Sequence, residues 1–261
     1  MANRLITGLT PSREQALQER MFMQLARSAE NPIKREIARA TRAIAAGKSG
    51  ALETHEKRMN SILTRLYKQA FKMFGRRLLN NIVKHSAPEE FKKGEIPETP
   101  QFDLARQMWI SSNAALKVTQ IAGTTQKQAL DIIRTATEDA IEAGLDEAAT
   151  GRLIQARIGE KGGQLSRLRG RMISRTESHA SSNASNQLAA KSTRLPLKKE
   201  WIASGDEERT RLTHQIAGQQ GLIDIDQPFS VGFDLLMQPG DPSGSAEEVI
   251  NCRCAVGYSL P

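Results

Sequence analysis

The sequence predicts a mainly α-helical chain, with N-terminal and central helices and a small α+β module at its C-terminal end. Three observations carry that reading. Aromatic residues make up only 4% of the 261 positions, too few for an ordinary sandwich or barrel, which draws on aromatic and β-branched residues. Apolar residues recur at steps of three and four along much of the chain, the spacing that lines one face of a helix. The ten prolines all fall at or before residue 100 or at or after residue 196, so none interrupts the middle.

Taken in order, Thr10-Pro11-Ser12 opens the first helix, with Ser12 as N-cap and Gln15 as its capping-box partner. Leu17, Met21 and Leu25 form its apolar face, and Asn31-Pro32 is expected to kink or break it. A second stretch carries Ile33, Ile37, Ala40 and Ile44 and stops at Gly47. Residues 51 to 86 give the strongest helical pattern, with Met59, Ile62, Leu66, Ala70, Phe74, Leu78 and Ile82 in register. Residues 87 to 100, with Pro88, Pro97 and Pro100 around a charged run, read as a linker. Thr99 then caps a helix that has Pro100 at its first position. Further helices are expected near 101–121, 124–143, 147–158 and 165–191, punctuated by Gly123, Gly144 and the glycines of 159–163. After Pro196, Lys198 to Ala203 reads as a strand and Gly205 to Gly218 as a short helix. Pro239 to Gly244 forms a turn cluster, and Ile250 to Tyr258 a closing strand. The chain thus divides into a basic helical region, 1–95, and a second part, 96–261, helical over 100–191 and α+β over 197–258.

Charge follows the same division. Residues 1–94 hold 19 lysines and arginines against 8 acids, +11; residues 95–197 hold 13 against 11, +2; residues 198–261 hold 5 against 10, −5. The overall +8 is therefore an N-terminal property, and a polyanion would approach that end. Arg58, Arg65, Lys68, Lys72, Arg76 and Arg77 lie among the apolar positions of the 51–86 helix and are the candidate contacts to DNA or to a protein partner. A solvated charged face is the plainer reading of the same residues. No run of about 18 apolar residues is present to span a membrane, and the N-terminus has no signal-peptide pattern. Two cysteines make no disulfide framework and fit a reducing cytoplasm.

Few motifs point to chemistry. Gly47-Lys48-Ser49 lacks the earlier glycine of a phosphate-binding loop, since position 42 is Arg42. Asp206, Arg209, Arg211 and His214 form a polar cluster, readable either as an acid/base site or as a capped helix. In the second reading Asp206 is the N-cap, Glu207 and Glu208 favour the helix dipole, and Leu212 and Ile216 form the buried face. On a strand, Cys252 and Cys254 would point to one face and Arg253 to the other, so a mutual disulfide is disfavoured. With His214, and Asp206 or His179 as a fourth group, they have zinc-ligand chemistry; two small buried thiols is the alternative. Arg175 and Glu177 lie in a helix upstream of Asn183 and Asn186 and read as a buried network binding that helix to the C-terminal segment.

The order of these segments carries a resemblance. Ile173-Ser174-Arg175-Thr176-Glu177 is followed by Trp201 through Asp206 and Arg209 to His214, then Gly218, Pro239-Gly240-Asp241-Pro242, and Glu248 through Asn251-Cys252-Arg253-Cys254. Over roughly residues 100 to 258 this resembles the phage head morphogenesis domain of Mu F-like minor head proteins. The resemblance implies a virion component of a tailed phage, inside the procapsid and, during assembly, in the host cytoplasm. Its implied partners are the portal protein, the major capsid or scaffolding protein and, without sequence preference, double-stranded DNA during packaging or ejection. It points to a structural protein rather than an enzyme, assigns no cofactor, and does not decide between a structural polar core and a zinc site at His214, Cys252 and Cys254. Arg175, Glu177, Asp206, Arg209, His214, Asn251, Cys252 and Cys254 carry over as a signature polar core. The alternative is a hydrolase acting on nucleic acid or cell wall through His214 with Glu177 or Asp206.

Overall fold

In the computed structural model, residues 5–86, 100–206 and 208–261 are described; the expected linker, the Thr99 cap and Glu207 lie outside them. The elements are α1 (Pro11–Ala45), α2 (Ala51–Ala70), a π-helical turn (Phe71–Gly75), α3 (Arg76–Ser86), α4 (Pro100–Glu142), α5 (Glu147–Ser192), β1 (Lys198–Ile202), α6 (Leu212–Gly218), β2 (Ile223–Asp224), β3 (Phe229–Val231), β4 (Asp234–Leu236), α7 (Ala246–Val249) and β5 (Ala255–Ser259). Long helices followed by a small strand-bearing module match the expected fold class. No described helix is long and apolar enough to cross a membrane.

The helices run through most of the expected breaks. The Glu14 N–H donates to the Thr10 carbonyl at 2.9 Å, so Thr10 rather than Ser12 caps α1 and Pro11 takes the first helical position. Gln15 makes no capping box; it donates to Glu19 at 3.0 Å and to the Arg253 carbonyl at 3.2 Å. Pro32 sits inside α1, Gly123 inside α4, and the glycines of 159–163 inside α5. An interior glycine costs only about 1 kcal/mol relative to alanine, less than packing returns over a 40-residue helix.

The residues form two compact units: 1–27, 66–110 and 175–261 in the first, 28–65 and 111–174 in the second. Both draw on residues from either side of position 95. In the second unit Glu36 anchors α1 to α2 by accepting from His55 Nδ1 at 2.9 Å and from Arg39 at 2.6 Å. Gly170 of α5 lies so close to Lys34 that an added Cβ would be 3.1 Å from its Cα. Here the missing side chain brings two helices together. Arg169, buried in the same unit, donates to Thr125 Oγ1 and Gln128 Oε1 of α4 and to the Ile121 carbonyl. Burial lowers its pKa to about 10.

In the first unit, β1 is the middle strand of an antiparallel sheet of order β2-β1-β5, and β3 pairs with β4. Register runs from Lys198 opposite Ser259 to Ile202 opposite Ala255. The opening turns of α1 lie against β5, with Gln18 donating to the Val256 carbonyl at 3.1 Å. Tyr258 reaches Gln187 of α5 at 2.9 Å. From Thr176 to Gln187, α5 is buried all round although most of its side chains are polar. Small serines make that tolerable: Ser181 donates to the Glu177 carbonyl at 2.7 Å and Ser182 to the Ser178 carbonyl at 2.6 Å. These two hydroxyls use their hydrogens inside the helix, and Ser185 donates to the Phe71 carbonyl at 3.5 Å, whereas Ser178 Oγ, Asn183 Oδ1 and Asn186 Oδ1 are buried without a hydrogen-bond partner among the described residues.

Candidate functional site

β1 delivers the chain into the Ala203–Arg211 loop, and α6 then raises His214 into the interior. The helix is shorter than expected, and Asp206 does not cap it. The Asp206 carbonyl instead accepts from Thr210 N–H at 2.9 Å, closing a turn ahead of Arg211, the actual cap position. The helix is also rotated relative to the sequence reading. Leu212 and Ile216 are 69% and 51% exposed, whereas His214 is 2% exposed. Trp201 explains this, since its ring packs edge-on against the His214 imidazole at 5.3 Å. α6 thus turns its one aromatic polar group inward.

The closing strand starts later than expected, at Ala255, so Cys252 and Cys254 stand in the loop before β5. Asn251 makes that loop possible. It adopts a left-handed backbone, φ 57°, which asparagine tolerates better than most residues. Its N–H donates to Thr176 Oγ1 of α5 at 3.3 Å. Both sulfurs then face His214 Nδ1, Cys252 at 3.5 Å and Cys254 at 3.4 Å. Arg253 leaves in another direction, 3.9 Å from Glu19. The two thiols are free.

The opposite ring nitrogen of His214 is held as firmly. Nε2 donates to Glu248 Oε2 at 3.0 Å, and Thr213 donates to the same oxygen at 2.9 Å. The carboxylate is seated over Gly232, where an added Cβ would come 2.7 Å from Glu248 Oε1. With Nε2 carrying the hydrogen, Nδ1 turns its lone pair to the sulfurs. Complete burial keeps the Cys252 thiol protonated, and its hydrogen bond to Cys254 draws Cys254 toward the thiolate.

A cavity of about 320 Å³ opens onto this cluster. Phe22 and Met23 of α1 form its apolar side; Ser204, Thr210, Asn251 and four arginines, Arg175, Arg209, Arg211 and Arg253, supply the rest, without a carboxylate among them. Arg211 is braced by the Ile250 carbonyl at 2.6 Å. Of these guanidinium groups, Arg209 stands 3.5 Å from Asp206 and Arg253 3.9 Å from Glu19.

Of the eight signature residues, six therefore meet at one cavity: Arg175, Arg209, His214, Asn251, Cys252 and Cys254. Asp206 stands beside Arg209 at 3.5 Å. Glu177 is elsewhere, accepting from the Tyr67 hydroxyl at 2.6 Å. Burial, with the Glu177 carboxylate beside it, pushes the Tyr67 phenol up. The carboxylate hydrogen-bonded to His214 is thus Glu248, which the sequence reading left unassigned. Its signal was present, four residues before Cys252 in the same signature segment. His179, considered as a zinc ligand, instead points Nε2 at the Cys254 carbonyl, 2.7 Å away, and burial lowers its pKa.

The basic helix residues separate into two kinds. Arg58, Arg65, Lys68, Lys72 and Arg76 are exposed, although Arg58 also approaches Glu36 at 4.0 Å. Arg77 turns inward and forms a two-pronged pair with Glu14, both contacts at 2.7 Å. It is a structural residue and has no guanidinium left to offer a polyanion.

Residues 131–257 match the family model described as phage Mu protein F like protein. The match runs from within α4 into β5 and includes every signature residue. No curated protein and no solved structure matches the chain.

Proposed function

From the match of residues 131–257 to the family model described as phage Mu protein F like protein, we propose that this chain is a minor head protein of a tailed phage. It works inside the procapsid, bound to the portal and near the major capsid or scaffolding protein, and assists head assembly and the passage of DNA. The family match is the observation that carries this reading. Its role is structural: His214 meets Glu248 and two thiols, and neither Glu177 nor Asp206 is its hydrogen-bond partner, which removes support from the proposed hydrolase pair.

DNA contact falls to the exposed cations. Lys68, Lys72 and Arg76, all in the first unit, follow one another at steps of four along α2, the π turn and α3. Such an array neutralises phosphates without reading bases. Three phosphate contacts predict a slope of log affinity against log salt of about −2.7, or about a 40-fold loss between 50 and 200 mM. The test is duplex binding by the full chain, followed by fluorescence anisotropy across that range. Changing Lys68 and Lys72 to alanine should flatten the slope by about 2. Absence of binding at the lowest salt, or a slope indifferent to the two substitutions, overturns the DNA role.

A further inference from the structure

We infer that Cys252, Cys254 and His214 form a zinc site whose fourth position faces the arginine-lined cavity and takes water or a small anion. The inference stands on the geometry of the cluster and is independent of any role in a phage head. The three candidate ligand atoms lie within 4.8 Å of one another. Zn–S bonds of about 2.3 Å and a Zn–N bond of about 2.0–2.1 Å at tetrahedral angles separate sulfur from nitrogen by about 3.5 Å. The two separations here are 3.5 and 3.4 Å. Two of the three edges between the ligand atoms thus already have the length that a zinc tetrahedron requires.

A second observation is independent of those distances. Metal-bound histidines hold their remote ring N–H on a carboxylate or carbonyl, which fixes the ring and strengthens the ligand. His214 does so with Glu248 at 3.0 Å, and Thr213 steadies the same oxygen. That carboxylate lies on the side of the ring away from the sulfurs, where it can orient the ligand without binding the metal.

Among the described residues no fourth ligand joins the group. His179 is turned to the Cys254 carbonyl, and Asp206 lies beside Arg209. The remaining corner opens toward the cavity, whose arginines favour an anion there. On binding, the two cysteines coordinate as thiolates and release their protons to solvent. The metal would tie α6 to the loop before β5, adding to the Arg211–Ile250 hydrogen bond and the two weak thiol contacts that join them here.

The test uses the full chain, expressed with zinc, handled anaerobically with a non-thiol reductant and passed through gel filtration. Elemental analysis should find about one zinc per chain, falling at least tenfold in Cys252→Ser. Less than about a tenth of an equivalent in the unaltered chain overturns the inference, as does full retention in the variant. Should Cys252→Ser fail to fold, cobalt titration of the metal-stripped unaltered chain decides. Saturation near one equivalent with thiolate charge-transfer and tetrahedral ligand-field absorption supports the site, and its absence overturns it. Glu248→Gln should weaken zinc binding about 10- to 100-fold while leaving the cobalt spectrum tetrahedral; unchanged affinity removes the positioning role. Azide added to the cobalt form should shift the ligand-field bands, and an unmoved spectrum overturns the open fourth position.

Discussion

Replacing Arg77 by methionine tests whether this basic residue is structural. The Glu14 side chain is 2% exposed, and burial by itself pushes its carboxyl up. The Arg77 guanidinium outweighs that and, helped by Gln18 at 2.8 Å, holds the pKa below the ordinary 4.5. Methionine keeps much of the arginine stem but none of its donors, leaving a buried carboxylate with only neutral partners. Breaking a buried pair in this way costs about 3–5 kcal/mol near neutral pH. The pH dependence must then change sign. In the parent, the unfolded chain binds the proton first, so the stability from Glu14 is present above about pH 4.5 and is lost as pH falls through the lowered folded value. In Arg77→Met, burial is unopposed, the folded carboxyl binds the proton first, and acid relieves the defect. The penalty therefore shrinks toward pH 4.5. A Glu14→Met/Arg77→Met double variant should return to within about 1 kcal/mol of the parent, because no charge is left buried. Both tryptophans, Trp109 and Trp201, belong to the same unit as this pair, so urea unfolding followed by tryptophan fluorescence reads the right cooperative element. A penalty below about 1 kcal/mol at pH 7, or one that grows on acidification, refutes the reasoning.

Three further outcomes follow from the same packing. Gly240 has φ +72°, and an added Cβ would meet His179 Nδ1 at 2.6 Å; Gly240→Ala should cost about 2–4 kcal/mol in urea unfolding, and a loss under 0.5 would contradict the contact. His179 is held neutral by burial, its pKa lowered from 6.5, so the unfolded chain takes up the proton first and stability falls as pH drops through about 6.5. The penalty of His179→Gln should accordingly shrink between pH 7.5 and 5.5, and a constant penalty would argue against a buried neutral ring. Leu212→Gln and Ile216→Gln should each change stability by no more than about 0.5 kcal/mol; losses of 2 kcal/mol or more would restore the inward-facing reading of α6.

The legible parts of the fold were those decided by local pattern. The apolar steps from Met59 to Ile82 identified one long helix, and that helix forms, but the same steps contain a feature that periodicity alone does not display. Each step of four advances about 40° beyond a full turn, so five in succession from Ile62 to Ile82 would carry the stripe about 200° around a regular α-helix. The wider π turn at Phe71–Gly75 absorbs part of that drift and keeps Phe71, Phe74 and Leu78 buried. The helices continue through expected breaks where tertiary packing outweighs the preference of one residue, as at Gly123 and the glycines of 159–163. Gly170 shows the other use of glycine, as close contact inside a helix.

The site divides in the same way. Cysteine and histidine identity, with the segment order, single out His214, Cys252 and Cys254 in the sequence. Their convergence depends on the left-handed Asn251 and on Trp201 packing against the imidazole, neither of which is a spacing rule. Leu212 and Ile216 looked like the buried face because helical amphipathicity assumes that the apolar side faces the core. In α6 a histidine, fixed by Glu248 and two sulfurs, occupies the inner side instead. Arg77 was indistinguishable in sequence from its basic neighbours, and only the location of Glu14 on α1 sets it apart.

The central claim, a minor component of a phage head, is tested most directly by quantitative mass spectrometry of purified procapsids, mature virions and DNA-emptied particles from the phage encoding this chain. The chain should be present in procapsids at a small, fixed number of copies relative to the major capsid protein. Its absence from all three particles, with the major capsid protein readily measured in each, would contradict it.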